Sequence, residues 1–334
     1  MPKFQFAEPR ALGPVAVAAP RRVVGPRSWR SADPGFRAAM AACSFSLLVT
    51  AILIFWELLS QSKLSLHQFG FRFFAGMNWD PVSGDFGALP FIYGTLVSSL
   101  IALVVAVPLA LGSALFITEL CPKRLKGTVS FLLELLAAIP SVIYGLWGIF
   151  VLSPLLRQYA EPWLETYFGW TGLFEGPPFG IGMFAAGMIL AIMIIPIIGS
   201  VAREVVLAVP MSQREGVLAL GATRWEVVCL AVLRNARTGI LGAVILGLGR
   251  ALGETMAVTM VIGNTPQVSK SLLAPGYSLA SVIANEFSEA TGDLYLSALF
   301  EIGLVLFLIT LIVNGLARVL VWSVTRGMPA RANV

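Results

Sequence analysis

The sequence predicts an all-α integral membrane protein with six transmembrane helices and both termini in the cytoplasm. Of the 334 residues, 57% are hydrophobic and only 12% are charged, and the mean hydropathy is +0.84, which is untypical of a soluble domain. Six apolar runs are long enough, at about 1.5 Å per helical residue, to approach or span about 30 Å of hydrocarbon. Eighteen of the 23 Lys and Arg residues lie on one side of these runs, four lie on the other and one lies inside a run. This bias predicts the orientation.

The chain divides into a tail, a membrane domain and a second short tail. Residues 1–37 are basic and rich in proline, so we expect a mostly disordered cytoplasmic segment close to anionic lipid. The membrane domain covers residues 38–322, and a cytoplasmic tail covers residues 323–334. The predicted spans lie at about residues 38–56, 91–118, 128–155, 179–201, 239–262 and 296–317. Between the fourth and fifth spans, residues 203–237 form a polar cytoplasmic loop.

The fifth predicted span contains two charged side chains. Arg250 lies about 16 Å along the helix axis from Gly239, near the bilayer midplane, where a charge costs at least about 2.5 to 3.5 kcal/mol. The i,i+4 spacing places Arg250 and Glu254 on one helix face, where they can pair or line a wet cavity. Glycines and alanines along the run predict a closely packed interior helix. Two interpretations remain open, a substrate pathway and a structural ion pair that fixes helix register.

The cytoplasmic loop carries two helix-start signals. Ser212 is followed three residues later by Glu215, and Thr223 is followed in the same way by Glu226, so each pair can form a capping box. Gly221 lies between them, where a helix commonly ends in the left-handed conformation. We therefore expect a helix, a glycine turn and a second helix at the membrane surface. From local sequence alone, Glu215 can have a purely capping role.

The same loop resembles a known signature. The segment REGVLALG at Arg214–Gly221 is similar to the EAA motif of ABC importer permeases, in which Glu-Ala-Ala and three further residues precede a glycine. Gly216 and Val217 replace the two alanines, and Arg234 stands where the motif has a downstream proline. In that family the loop is a coupling helix that docks in a groove of the ATPase subunit. The resemblance implies this docking role for Arg214, Glu215 and Gly221.

Three further segments resemble the PstC-type permease of phosphate-specific ABC importers. They are FGALPFIYGT at residues 86–95, IPSVIYGLWG at residues 139–148 and GLGRALGETMAVTMVIGN at residues 247–264. The resemblance implies the MetI-like ABC-importer permease fold, the bacterial inner membrane and passage of phosphate past Arg250 and Glu254. It also implies the partners: a second, PstA-like permease, two PstB-like ATPase subunits and a periplasmic phosphate-binding protein.

Chemistry at the fifth span follows as a hypothesis. A guanidinium can bond two oxygens of a phosphate at once, so Arg250 would lower the barrier to the anion. Glu254 could neutralise Arg250 when the path is empty, or accept the proton of hydrogen phosphate, which sulfate does not carry. Ser141 and Tyr144, beside the break that Pro140 makes in the third span, could supply hydroxyls. Tyr144 could instead be an anchor at the membrane interface.

Other functions receive little support from the sequence. No G-x-x-x-x-G-K-[ST] loop occurs, so we expect a separate subunit to use ATP and no cofactor on this chain. His67 is the single histidine, and no set of nucleophile, base and orienting group favours an enzyme. Basic residues flank apolar spans, which argues against nucleic acid. A permease for another oxyanion or for amino acids, and a self-sufficient anion channel or secondary transporter, remain alternatives.

Overall fold

Helices make up most of the chain in a computed structural model, which describes the backbone of residues 27–325 and the side chains of residues 34–323. Two compact units divide the chain, Met1–Ile54 and Phe55–Val334. The elements are α1 (Arg27–Gln61), α2 (Lys63–Phe69), α3 (Arg72–Ala75), β1 (Trp79–Asp80), β2 (Asp85–Phe86), α4 (Leu89–Leu115), α5 (Lys123–Ala138), α6 (Ser141–Trp147), α7 (Ser153–Leu155), α8 (Glu161–Phe168), α9 (Met183–Leu207), α10 (Met211–Ala219), α11 (Arg224–Val227), α12 (Arg234–Leu252), α13 (Met256–Val261), α14 (Leu279–Glu286) and α15 (Asp293–Thr325). Wider π-helical turns lengthen several of them, at Phe116–Leu120 after α4, Gly148–Leu152 and Leu156–Ala160 on either side of α7, and Val228–Leu233 between α11 and α12.

Six membrane crossings are consistent with the helices. Five helices in the described part of the chain are long and apolar enough to cross, and a sixth crossing results if one bent helix pair counts once. That pair joins Lys123–Ala138 to Ser141–Thr171 at an angle of 92°. The predicted all-α membrane fold is confirmed, with five to six candidate spans in the described part of the chain. The cytoplasmic location of both termini stays a prediction.

Helix α9 is central to the second unit. It packs along α4 on one side and against α12 on another. The contact with α4 uses four alanines at four-residue spacing that are almost completely buried: Ala102, Ala106, Ala110 and Ala114. On α12, a Cβ added to Gly247 would lie 2.6 Å from the side chain of Ile198 on α9. Small residues therefore let the three helices approach closely, which is how apolar helices associate when lipid offers no hydrophobic driving force.

Aromatic residues form a second core at one end of this unit. The β1–β2 hairpin places Trp79 against Phe86 and Phe91, with ring centroids 4.8 and 4.9 Å from that of Trp79. The Trp79 indole N–H donates to Glu286 at 2.7 Å, and the Tyr295 hydroxyl donates to the same carboxylate oxygen at 2.6 Å. The segment between the first two predicted spans therefore carries structure of its own.

Several predicted boundaries are wrong in the same direction, because the helices continue beyond the uncharged runs. Each residue added to a long helix makes another backbone hydrogen bond, so extension into charged flanks costs little. Residues 27–37 of the predicted disordered tail are helical, while residues 1–26 lie outside the described residues. Helix α9 continues to Leu207, within the predicted loop, and α15 continues to Thr325, with residues 326–334 outside the described part.

The third predicted span, residues 128–155, is wrong as a single straight helix. It begins earlier, at Lys123, and breaks after Ala138, where Ile139 is extended and Pro140 cannot donate a backbone hydrogen bond. The helical run that follows continues to Thr171, 16 residues beyond the predicted end of the span at residue 155.

Candidate substrate pathway and coupling surface

The fifth predicted span is broken close to its charged pair. Helix α12 ends at Leu252, the backbone of Gly253 leaves the helix with φ −96° and ψ 2°, and α13 begins at Met256. Glu254 therefore lies in the connection and not on the face of a continuous helix, so the predicted helical i,i+4 geometry is wrong. The hydropathy of the run does not reveal this break.

Arg250 and Glu254 nevertheless lie side by side. Arg250 Nη2 is 3.7 Å from Glu254 Oε2, which is within ion-pair distance but too long for a strong hydrogen bond. The Glu254 side chain is 7% exposed, whereas the Arg250 side chain is 46% exposed. Glu254 Oε1 also accepts the backbone N–H of Ala257 at 3.4 Å, at the start of α13. The carboxylate thus contacts the start of α13, while no hydrogen bond engages the guanidinium in the part of the chain that the structure describes.

The break in the third span packs against the break in the fifth. Helix α6, which follows Pro140, contacts α13, and a Cβ added to Gly145 would lie 3.1 Å from the Ala257 Cα. The Tyr144 hydroxyl donates to the Leu136 carbonyl oxygen at 2.7 Å, so it bridges the two halves of the broken span. Its single hydrogen is used there, which does not fit the predicted role as a donor to substrate.

Ser141 is the other hydroxyl predicted at this break. It begins α6 and is partly buried, and within the described residues its hydroxyl has no hydrogen-bond partner. It therefore remains available, and its place beside a substrate stays a prediction.

One face of α12 is left uncovered by the rest of the described chain. A Cβ added to Gly242 would meet nothing within 4 Å, and one added to Gly249 would meet only Asn314 Oδ1 at 4.0 Å. Leu246 between them is 58% exposed. The small residues of α12 that face α9 pack closely, as predicted. Gly242 and Gly249 lie on a face that the described residues leave largely uncovered.

The loop at residues 203–237 has the predicted shape of helix, glycine turn and helix. Helix α10 ends before Gly221, whose φ of +84° is left-handed, and α11 begins with the capping box of Thr223 and Glu226. Glu226 N–H donates to Thr223 Oγ1 at 3.4 Å, and Thr223 N–H donates to Glu226 Oε2 at 2.7 Å. From α11 the helix runs on into α12, so the second half of the loop is the start of the next span.

The other predicted capping box does not form. Pro210 occupies the cap position of α10, which puts Ser212 inside the helix and leaves no side-chain cap. Glu215 is exposed, and no hydrogen bond or ion pair engages it in the part of the chain that the structure describes. The capping interpretation of Glu215 is therefore wrong, and its carboxylate is free for a partner.

Arg214 points the other way. Its Nη1 lies 2.5 Å from Glu119 Oε1 and its Nη2 lies 2.8 Å from the Val206 carbonyl oxygen, both within this chain. No local sequence pattern predicts the pair with Glu119, because 95 residues separate the two. The pair of Arg203 with Glu134 of α5, at 3.0 Å, was missed for the same reason.

Comparison with known families identifies the class. The model of the family "Binding-protein-dependent transport system inner membrane component" matches residues 106–326, from within α4 to the end of α15. A bacterial ABC transporter involved in the import of the acidic polysaccharide alginate has a chain of the same fold, with a TM-score of 0.54 at 14% identity over 90% of this chain and all of that one. The fold is that of an ABC-importer permease.

Curated relatives narrow the family. "Phosphate transport system permease protein PstC" of Mesorhizobium japonicum is 47% identical over 296 residues, covering 87% of this chain and 90% of that protein. The protein of the same name from Haemophilus influenzae is 50% identical over 287 residues, covering 85% and 90%. The chain belongs to the PstC family of permeases. It is a multi-pass inner membrane protein of a family of membrane subunits that are not themselves catalytic.

Proposed function

We propose that this chain is the permease subunit of an ATP-driven importer of inorganic phosphate. The observation that carries the proposal is Arg250, a half-exposed guanidinium at a helix break, held by one loose ion pair to a fixed carboxylate. A cation in a membrane domain costs free energy unless a partner or ligand compensates it, and an anionic substrate supplies that compensation. The PstC relatives support phosphate as the anion.

The break between α12 and α13 is the proposed passage. Arg250 can turn from Glu254 toward two oxygens of the incoming anion, because the 3.7 Å pair is easily exchanged for shorter bidentate bonds. Glu254 stays anchored through the Ala257 N–H and can accept the proton of hydrogen phosphate. Ser141 adds a hydroxyl. Binding is weak and transient, because passage fails if the anion cannot leave.

Energy enters from separate polypeptides. The sequence has no phosphate-binding loop for ATP, and Glu215 on α10 presents an exposed carboxylate to an ATPase subunit. A second, similar permease covers the open face of α12 at Gly242 and Gly249 and completes the pathway, and each permease engages one ATPase subunit. A periplasmic binding protein delivers phosphate to the outer loops, and both termini of this chain lie in the cytoplasm.

Reconstitution tests the proposal. The chain is purified from native membranes, its co-purifying subunits are identified, and the complex is placed in proteoliposomes with the binding protein and ATP. We expect uptake of labelled phosphate that requires ATP and is not reduced by excess sulfate. Phosphate movement by the chain alone would instead indicate a channel or secondary transporter, and equal competition by sulfate would indicate a general oxyanion permease.

A further inference from the structure

Arg214 lies in the segment that resembles a docking motif, yet its side chain faces the permease. The side chain is 13% exposed, and that of its partner Glu119 is 20% exposed. The neighbouring Glu215 is exposed and unpaired within the described residues. Adjacent residues of α10 thus have opposite orientations, one outward and one into the membrane domain.

The two contacts of Arg214 reach the ends of two different helices. Glu119 lies in the π-helical turn Phe116–Leu120, which continues α4, and the Val206 carbonyl belongs to the last turn of α9. Carbonyls in a last helical turn lack partners in their own helix and carry the negative end of its dipole, so a cation suits them. The planar guanidinium holds both acceptors in a fixed relative geometry.

Apolar packing between α10 and the end of α4 is incomplete. A cavity of about 480 Å³ separates them, and its lining includes Leu115, Leu120, Leu218 and Trp225. The elements against which α10 mainly packs are α11 and the turn Val228–Leu233. The Arg214 contacts are therefore a direct polar link between α10 and the two helices, across a space that side chains do not fill.

Those two helices lead to the candidate pathway. Helices α4 and α9 pack along each other, and α9 packs against α12, which ends two residues after Arg250. We propose that Arg214 is a positioning residue that transmits displacement of α10 to α4 and α9 through Glu119 and the Val206 carbonyl. The proposal rests on the proposed function, because it assumes an ATPase subunit that moves α10.

The test uses the full reconstituted complex and measures phosphate uptake, ATP hydrolysis and the amount of bound ATPase subunit. Arg214→Gln and Glu119→Gln should each keep the ATPase subunits bound and hydrolysing ATP, while uptake per ATP falls by roughly 5- to 150-fold, the usual range of coupling between sites. The double variant should be no worse than either single one. The exchange Arg214→Glu with Glu119→Arg should recover part of the uptake. Arg318→Gln, an exposed arginine on α15, is the matched control and should transport normally.

Each possible result either supports or overturns the proposed role of Arg214. Unchanged uptake per ATP in both single variants would overturn the proposal, and so would loss of the ATPase subunits from Arg214→Gln, since that result indicates direct docking. If the permease carrying either single variant cannot be recovered from membranes as folded protein, the exchanged pair decides, because recovery supports the link and continued failure overturns it. Absence of phosphate uptake by the wild-type complex would refute the proposed function itself, separately from the link.

Discussion

Charged side chains in this membrane protein differ mainly in how many partners they have. Arg203 bonds two carboxylates and Arg214 bonds a carboxylate and a carbonyl, and both side chains are 13% exposed. Arg250 has one carboxylate at 3.7 Å and is 46% exposed. Within the described residues, the first two are therefore structural links, while Arg250 retains donors for a ligand. The number of hydrogen-bond and ion-pair partners distinguishes the structural arginines from Arg250 better than their positions in the sequence do.

Glu301 is the reverse case, a carboxyl with no cation. It is fully buried on α15, and neither of its oxygens has a partner in the described part of the chain. A buried charge without a partner is costly, and an uncharged amide of the same shape avoids the cost of the charge, although like a neutral carboxyl it still lacks hydrogen bonds there. We expect Glu301→Gln to leave the free energy of unfolding within about 1 kcal/mol and Glu301→Lys to lower it by roughly 3 kcal/mol or more.

Thermal unfolding of the purified chain measures this difference. Glu289→Lys makes the same charge change at an exposed position and should have an effect of about 0.5 kcal/mol or less. Marked destabilisation by Glu301→Gln would show that the charged carboxylate is itself required, which contradicts the argument.

Glu215 is proposed to have a different role from the adjacent Arg214. Its exposed carboxylate on α10 is proposed to meet an ATPase subunit. Glu215→Lys should weaken ATPase binding by roughly 2 kcal/mol or more, the cost of mispairing a charge at an interface. Co-purification of the ATPase subunits measures the loss, with Glu289→Lys as the control. A complex of unchanged composition would remove Glu215 from the docking surface.

At the scale of elements, the breaks distinguish this fold from a bundle of straight helices. The third and fifth spans are each interrupted, and the short helices after the breaks, α6 and α13, pack together. Tyr144 joins the two sides of one break with a hydrogen bond to the Leu136 carbonyl oxygen, which also accepts the Ile139 N–H at 3.3 Å. Irregular backbone of this kind is tolerated in membranes where protein or a cavity covers it.

Close contacts between elements predict which glycines are required. A Cβ on Gly94 of α4 would overlap the backbone carbonyl oxygen of Tyr277, whereas one on Gly112 of the same helix would meet nothing within 4 Å. Gly94→Ala should destabilise the chain by about 1 to 3 kcal/mol through overpacking. Gly112→Ala should be neutral or slightly stabilising, because alanine favours helix. Equal unfolding temperatures for the two variants would contradict the packing described here.

The sequence predicted the elements better than their interruptions. Apolar runs have a clear length signal, so the six segments and the loop helix at Met211–Ala219 could be predicted. Gly253 lies in an apolar run, where a glycine is usually interpreted as a small packing residue. The local sequence therefore does not predict that α12 ends there. The pair of Arg214 and Glu119 depends on tertiary structure alone. Arg250 and Glu254 could be singled out because charge is rare in such runs, although their geometry could not.

At the scale of the whole molecule, the chain has the features of one part of a larger assembly. The open face of α12 and the exposed Glu215 lie on surfaces that other subunits are proposed to cover. Between them, α9 connects the loop helix region to the helix that carries Arg250. This arrangement suits the proposed alternating access, in which displacement of α10 changes the exposure of the break between α12 and α13.

The most direct test of this account is phosphate uptake by the reconstituted complex carrying Arg250→Gln, with Arg318→Gln as the matched control. We expect uptake to fall by roughly 100-fold, the scale of losing one pre-organised donor, because the amide has no charge to compensate the anion. The complex should still assemble and hydrolyse ATP. Uptake at the wild-type rate by Arg250→Gln would contradict the claim that the anion passes this guanidinium.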